Sequence, residues 1–233
     1  MRKSILLALS LAAGIFTNAS ASDFFNTGAP ETLFNIGVRA GINTSNMNVN
    51  KNVFDTWNCN SWGTGVDLGV VADINFKDYL SIQPGFFYES RSGKYAYVSR
   101  DAVTPEGTDY LTQFGKIRDY NFLVPIMACV HFNLGSEVRW NLEFGPYFQF
   151  VLKNKLDSDA VYPLYQVQDA LPVGYKEITP TKFDFGFKFG TSLKVLQHYL
   201  IGVHYQAGVL KPWSEGALGG RRKAWVFSVG YDF

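Results

Sequence analysis

Residues 183–195 read FDFGFKFGTSLKV. Phe183, Phe185, Phe187 and Phe189 take every second position, and Asp184, Gly186, Lys188 and Gly190 fill the positions between. Successive side chains of a β-strand point to opposite faces, so this stretch has one face of aromatic rings and one of charges and glycines. The last ten residues, AWVFSVGYDF (224–233), repeat the pattern. Trp225, Phe227, Val229, Tyr231 and Phe233 share one face; Ala224, Val226, Ser228, Gly230 and Asp232 share the other. An apolar face that runs through Phe233 is expected to meet an apolar medium there.

Six further segments alternate in the same way: LFNIGVRAGIN (33–43), WGTGVDLGVVADINF (62–76), LSIQPGFFYESR (80–91), DYNFLVPIMACVHF (119–132), VRWNLEFGPYFQFVL (138–152) and YLIGVHYQAGVL (199–210). Their connections alternate in length. Short turns around Lys77–Tyr79, 133–137 and Gln197–His198 alternate with longer polar segments at 43–61, 92–117, 153–181 and 211–222. An even strand count with short turns at one end and long loops at the other predicts an all-β fold: an eight-stranded antiparallel up-and-down transmembrane β-barrel. A water-soluble barrel would turn the phenylalanines inward. Here the charged face is also the glycine-rich face, which suits a narrow lumen where small residues leave room for long charged neighbours. Aromatics gather at both ends of the apolar face. Trp62, Tyr88, Tyr120 and Phe150 lie near the long loops; Phe76, Phe132, Trp140, Tyr199, Tyr231 and Phe233 lie near the short turns. Two such girdles mark the two membrane interfaces. From Tyr120 to Phe132, at ~3.3 Å per residue and a tilt of ~40°, the strand spans roughly 30 Å, about the apolar thickness to be crossed.

Composition narrows the function classes. The formal net charge is +1, and it becomes −1 once a leader carrying Arg2 and Lys3 is removed, so no electrostatic case for nucleic acid exists. The leader is read at residues 1–21: a basic start, an apolar run from Ile5 to Phe16, and Ala19-Ser20-Ala21 as a small-residue cleavage site. Residues 22–32 are then a short periplasmic lead-in, and 33–233 the barrel domain. Cys59 and Cys129 allow one disulfide, but one lies in a polar stretch and the other mid-strand, and neither has a histidine at metal-ligand spacing. Phosphate-binding glycine loops, CxxC and HExxH motifs are absent. No metal or cofactor is expected.

The stretches NIGVRAGINTSNM, SIQPGFFYESRSG, DYNFLVPIMACVHF, FGPYFQF, FDFGFKFG and VFSVGYDF, in this order, resemble the PorT-like outer-membrane β-barrel family of Bacteroidota. Pro125 and the Gly145-Pro146 pair are among the few fixed residues that carry it. The resemblance implies residence in the cell outer membrane and contact with outer-membrane lipid. It also implies a C-terminal assembly signal, here Tyr231 and Phe233, read by the barrel-assembly machinery. The family has no shared catalytic motif, and the link of its naming member to secretion does not transfer on fold alone.

The lumen is expected to hold Arg39, Arg91, Arg139, Lys188 and Lys194 against Asp67, Asp73, Glu89, Asp119, Glu143, Asp184 and Asp232, with His204 beside them. Charges removed from water must be paired, so these residues read as a structural network that plugs the barrel. A small-solute channel is the alternative. A lipid-modifying enzyme ranks below it, because no serine nucleophile can be assigned to His131, His198 or His204 from the sequence. The long segments carry Tyr95, Tyr97, Tyr110, Tyr162, Tyr165, Tyr175 and Trp213, a surface for an extracellular ligand or protein partner or a lid over the barrel mouth. The expected protein is a non-enzymatic barrel of the outer membrane with a structural or binding role, assistance to secretion included. In a background lacking Cys59 and Cys129, the substitutions Ser99→Cys and Asp157→Cys should react with an impermeant maleimide on whole cells and Ser136→Cys should not. The reverse pattern would invert the topology.

Overall fold

The computed structural model describes residues 24–49, 57–99, 103–104, 107–108, 111–135, 137–158, 181–211 and 220–233. The leader and Tyr110, Tyr162, Tyr165, Tyr175 and Trp213 lie outside them, as do the side chains of Tyr95 and Tyr97. Eight strands form the barrel: β1 (Phe34–Val49), β2 (Trp57–Lys77), β3 (Leu80–Ser99), β4 (Leu111–Asn133), β5 (Val138–Ser158), β6 (Phe183–Val195), β7 (Tyr199–Gly208) and β8 (Gly220–Asp232). Each pairs antiparallel with its predecessor, and β8 pairs with β1 to close the cylinder. A two-residue ribbon, Val103–Thr104 with Gly107–Thr108, lies between β3 and β4 in the chain. Closure leaves no edge strand, the condition for placing a sheet in hydrocarbon. Among the described residues no helix is long and apolar enough to cross a membrane.

The two faces separate as the alternation requires. Phe187 is 41% exposed while its neighbour Lys188 is 5% exposed. Rings on adjacent strands meet across the outer wall, Phe144 against Phe187 at 5.9 Å and Phe148 against Phe185 at 5.5 Å. Cross-strand aromatic pairs of this kind stabilise a ladder on the face where they occur. Trp62, Tyr88, Phe150, Phe183 and Trp225 are exposed towards the long-loop end, and Phe76, Tyr199, Tyr231 and Phe233 towards the turn end. The lead-in also joins the lower girdle. Phe24 packs on Phe132 at 5.1 Å and Phe25 on Tyr79 at 4.6 Å, while Asn75 Nδ2 donates to the Thr32 carbonyl at 2.9 Å.

Two expectations are corrected. Parts of 43–61, 92–117 and 153–181 are strand rather than loop: β2 to β5 run for 21, 20, 23 and 21 residues, against 13, 10 and 13 in β6 to β8. Pairing continues through Tyr97 opposite Gln113 and Lys116 opposite Asp157. Apolar alternation ends where lipid ends, but the hydrogen-bonded ladder needs no lipid and continues with polar residues. The lumen is also not wholly polar. Val71, Phe87, Leu123 and Tyr147 form a buried cluster inside it, and Met127, Leu200 and Val226 are buried on the same inner face.

Phe187→Arg would put a charge at mid-wall in hydrocarbon, at a cost of about 2–4 kcal/mol. Lys188→Gln should cost less, because Lys188 has no carboxylate within 4 Å among the described residues and its Nζ lies 5.0 Å from the Phe87 ring centroid. Urea titration of both variants refolded in lipid vesicles measures the difference; an equal loss would contradict the assignment of faces.

Candidate functional site

The inner face is built on a repeated pairing of long side chains with glycine. Arg39 of β1 stands opposite Gly69 of β2 and Gly230 of β8. A methyl group at Gly230 would lie 2.5 Å from Arg39 Cδ, so the guanidinium occupies the space that glycine leaves. Gly190 of β6 stands opposite both Glu143 of β5 and His204 of β7. With no side chain between them, Glu143 Oε2 and His204 Nε2 meet at 2.5 Å.

Reading the inward residues down β6 orders the lumen into three levels. Near the long-loop end, Asp184 faces Arg222 Nη1 at 3.9 Å, and Arg222 Nε also reaches Asp119 at 3.4 Å. Glu89 pairs with Arg91 at 2.8 Å, and Arg91 donates to Gln206. Below this comes Lys188, over the Phe87 ring, and then Ser192, which bonds Glu143 at 2.5 Å and accepts from Asn141 Nδ2 at 3.0 Å. At the turn end, Lys194 bridges Asp232 and, at 3.8 Å, Asp73; Asp232 also binds Arg39 at 2.6 Å.

Every residue expected in the lumen is buried except two at the turn-end mouth: Lys194, which is half-buried, and Arg139, which is about a third exposed and pairs there with Asp78 at 2.8 Å. Asp67 stands opposite Glu89 in the β2–β3 ladder and lines a central void with Lys188. Arg222 was missed because it fell in a segment read as loop, although it keeps the phase of Ala224, Val226 and Asp232. Cys129 is a free, buried thiol. Tyr231 stacks on His198 at 5.4 Å; Phe233 is 70% exposed and donates its N–H to the Ile36 carbonyl at 2.9 Å.

The histidines have hydroxyl neighbours that the sequence did not reveal. Ser81 Oγ lies 2.8 Å from His131 Nε2, and Asn141 Oδ1 lies 2.7 Å from His131 Nδ1. Ser192 shares Glu143 with His204. His131, Asn141 and Ser192 come from three adjacent strands at one register level, which spacing along the chain cannot show. Ser81 is fully buried. Its hydroxyl and the Asn141 amide oxygen hold the imidazole from both sides. A polar cavity of about 660 Å³ opens at the turn end beside His131, Asp73, Arg139 and Lys194, whereas the central void measures about 20 Å³.

A closed wall with aromatic rings outside and paired charges inside is that of an integral membrane β-barrel. Residues 19–210 match the family model described as outer membrane protein beta-barrel domain, and the chain belongs to that family and resides in the outer membrane. No curated protein matches the chain. Solved structures similar to it include OprG of Pseudomonas aeruginosa, at 10% identity and a TM-score of 0.47, covering 89% of this chain and 98% of that one. Ail of Yersinia pestis, solved with the heparin analogue sucrose octasulfate, is 12% identical with a TM-score of 0.44, covering 87% and 100%.

The ion pairs differ in redundancy, and this predicts their ranking. Asp232 keeps Lys194 when Arg39 is lost, whereas Arg222 is the cation that faces both Asp119 and Asp184 at the upper level. Arg222→Leu should cost about 3–5 kcal/mol, the penalty for stranding a buried carboxylate. Arg39→Leu should cost less. Vesicle unfolding of the two variants tests this, and a reversed order would show that the upper carboxylates do not depend on Arg222.

Proposed function

We propose that the protein is a non-enzymatic surface barrel with a plugged lumen, which acts through its long-loop end on an extracellular ligand or a protein partner. The observation that carries this reading is the central void of about 20 Å³, room for about one water molecule. Ion pairs above and below it, and the apolar cluster of Val71, Phe87, Leu123 and Tyr147, support a plugged interior. The interior is used for stability, and recognition falls to the rims. The extension of β2 to β5 beyond the apolar band supports this, since it raises a four-stranded wall at the long-loop end.

The resemblance to the PorT-like family supports a protein partner, with assistance to secretion as one such role. It also supports Tyr231 and Phe233 as the signal read by the barrel-assembly machinery. A small-solute channel is the second reading, favoured by the polar cavity of about 660 Å³ at the turn end. An enzymatic role would need Ser81 or Ser192 to meet a substrate, and both are buried. Refolded protein in planar bilayers should give no steady conductance above background at neutral pH. A stable open-pore current would replace the plugged barrel with the channel.

A further inference from the structure

Six exposed or half-exposed cations crown the long-loop end of one half of the barrel. Lys153 and Lys155 lie on β5, Lys182 at the entry to β6, Lys211 just after β7, and Arg221 and Lys223 on β8. These four strands are neighbours in the cylinder. None of the six has a carboxylate within 4 Å among the described residues, whose ion pairs all belong to the lumen and the turn-end mouth. The other rim differs: its exposed charges, Glu31, Lys77 and Glu137, are of both signs.

We propose that this collar binds the phosphorylated headgroups of the lipid surrounding the barrel in the leaflet at the long-loop end. Depth is the argument for lipid rather than a soluble polyanion. Four of the six border an exposed apolar residue of the lipid-facing wall: Lys153 follows Phe150 and Leu152, Lys182 precedes Phe183, Lys211 follows Val209 and Leu210, and Lys223 precedes Trp225 by two; Lys155 and Arg221 lie two residues beyond Lys153 and Lys223. Two residues of a strand tilted by ~40° rise only ~5 Å, the distance from acyl boundary to headgroup. Long basic side chains reach from such a boundary into the polar layer and pair with anionic lipid there. A receptor for a free polyanion would instead present its charge clear of the membrane. The proposal is independent of whether the lumen conducts.

The test is selectivity among spin-labelled lipids around the refolded full chain in phosphatidylcholine vesicles. The probes are labelled phosphatidic acid, whose headgroup is a phosphomonoester, and labelled phosphatidylcholine. The wild type should prefer phosphatidic acid by at least about threefold, and the preference should shrink with added salt. Combined Lys153→Gln, Lys155→Gln, Lys211→Gln, Arg221→Gln and Lys223→Gln should bring it to near unity, while Lys77→Gln at the other rim should leave it unchanged. Urea titration in pure phosphatidylcholine checks that the multiple variant still folds; if it does not, Arg221→Gln with Lys223→Gln should still halve the preference. No preference in the wild type, or one that survives these changes, overturns the proposal. So does tight binding of a soluble heparin fragment by a protein that shows no lipid preference.

Discussion

An eight-stranded barrel has a lumen about one layer of side chains wide, and the charges turned into it are stabilised from inside that layer: most by ion pairs, Lys188 by the ring of Phe87. A carboxylate stranded there cannot reach bulk water, and leaving it unpaired costs several kcal/mol. The inner face of this protein follows from that condition. Glycines stand opposite the longest side chains because two long chains at one register level would overlap. Gly69 and Gly230 flank Arg39, and Gly190 lies between Glu143 and His204. The glycines weaken the strands locally, and the ion pairs they admit tie β1 to β8 and β5 to β7.

The same condition explains why the outer wall is so uniformly apolar. Period-two alternation leaves no third choice of face: a residue points to lipid or to the filled lumen. Tyr147, Gln149 and Asn121 accordingly point inward although nearby positions on the same strands carry Phe148, Phe150 and Phe122. Among the described residues the side-chain amides of Asn121 and Gln149 have no hydrogen-bond partner. The apolar cluster around Phe87 and Leu123 lies between the ion pairs of Arg222 and those at Lys194.

Much of this was legible in the sequence because lipid imposes a strict code on the strands that touch it. The segment 183–195 is one strand with the faces expected of it, and the residues expected inside are buried there, with Arg139 and Lys194 at the mouth. What escaped had one of two physical causes. Above the membrane the code lapses, so the upper ends of β2 to β5 looked like loop, and Arg222 was lost with a segment of that kind. Inside the barrel, neighbours are set by register and shear. Ser81 meets His131 because β3 and β4 are aligned with Ser81 opposite Cys129. Nothing in the spacing of 81, 131 and 141 along the chain states that alignment.

A consequence follows for where function can vary. Changing an inner residue alters a partner two strands away, as Glu143 shows by serving Ser192 and His204 at once. Changing an outer residue at mid-wall exposes the protein to the cost of polarity in hydrocarbon. The rims obey neither constraint: their side chains meet water or headgroups, and their backbone is already paired by the ladder. In this barrel the rim at the long-loop end is much the larger, since β2 to β5 run for 20 to 23 residues and continue past the apolar band on that side. Residues of that rim can therefore change without disturbing the ion pairs and the apolar cluster inside the barrel.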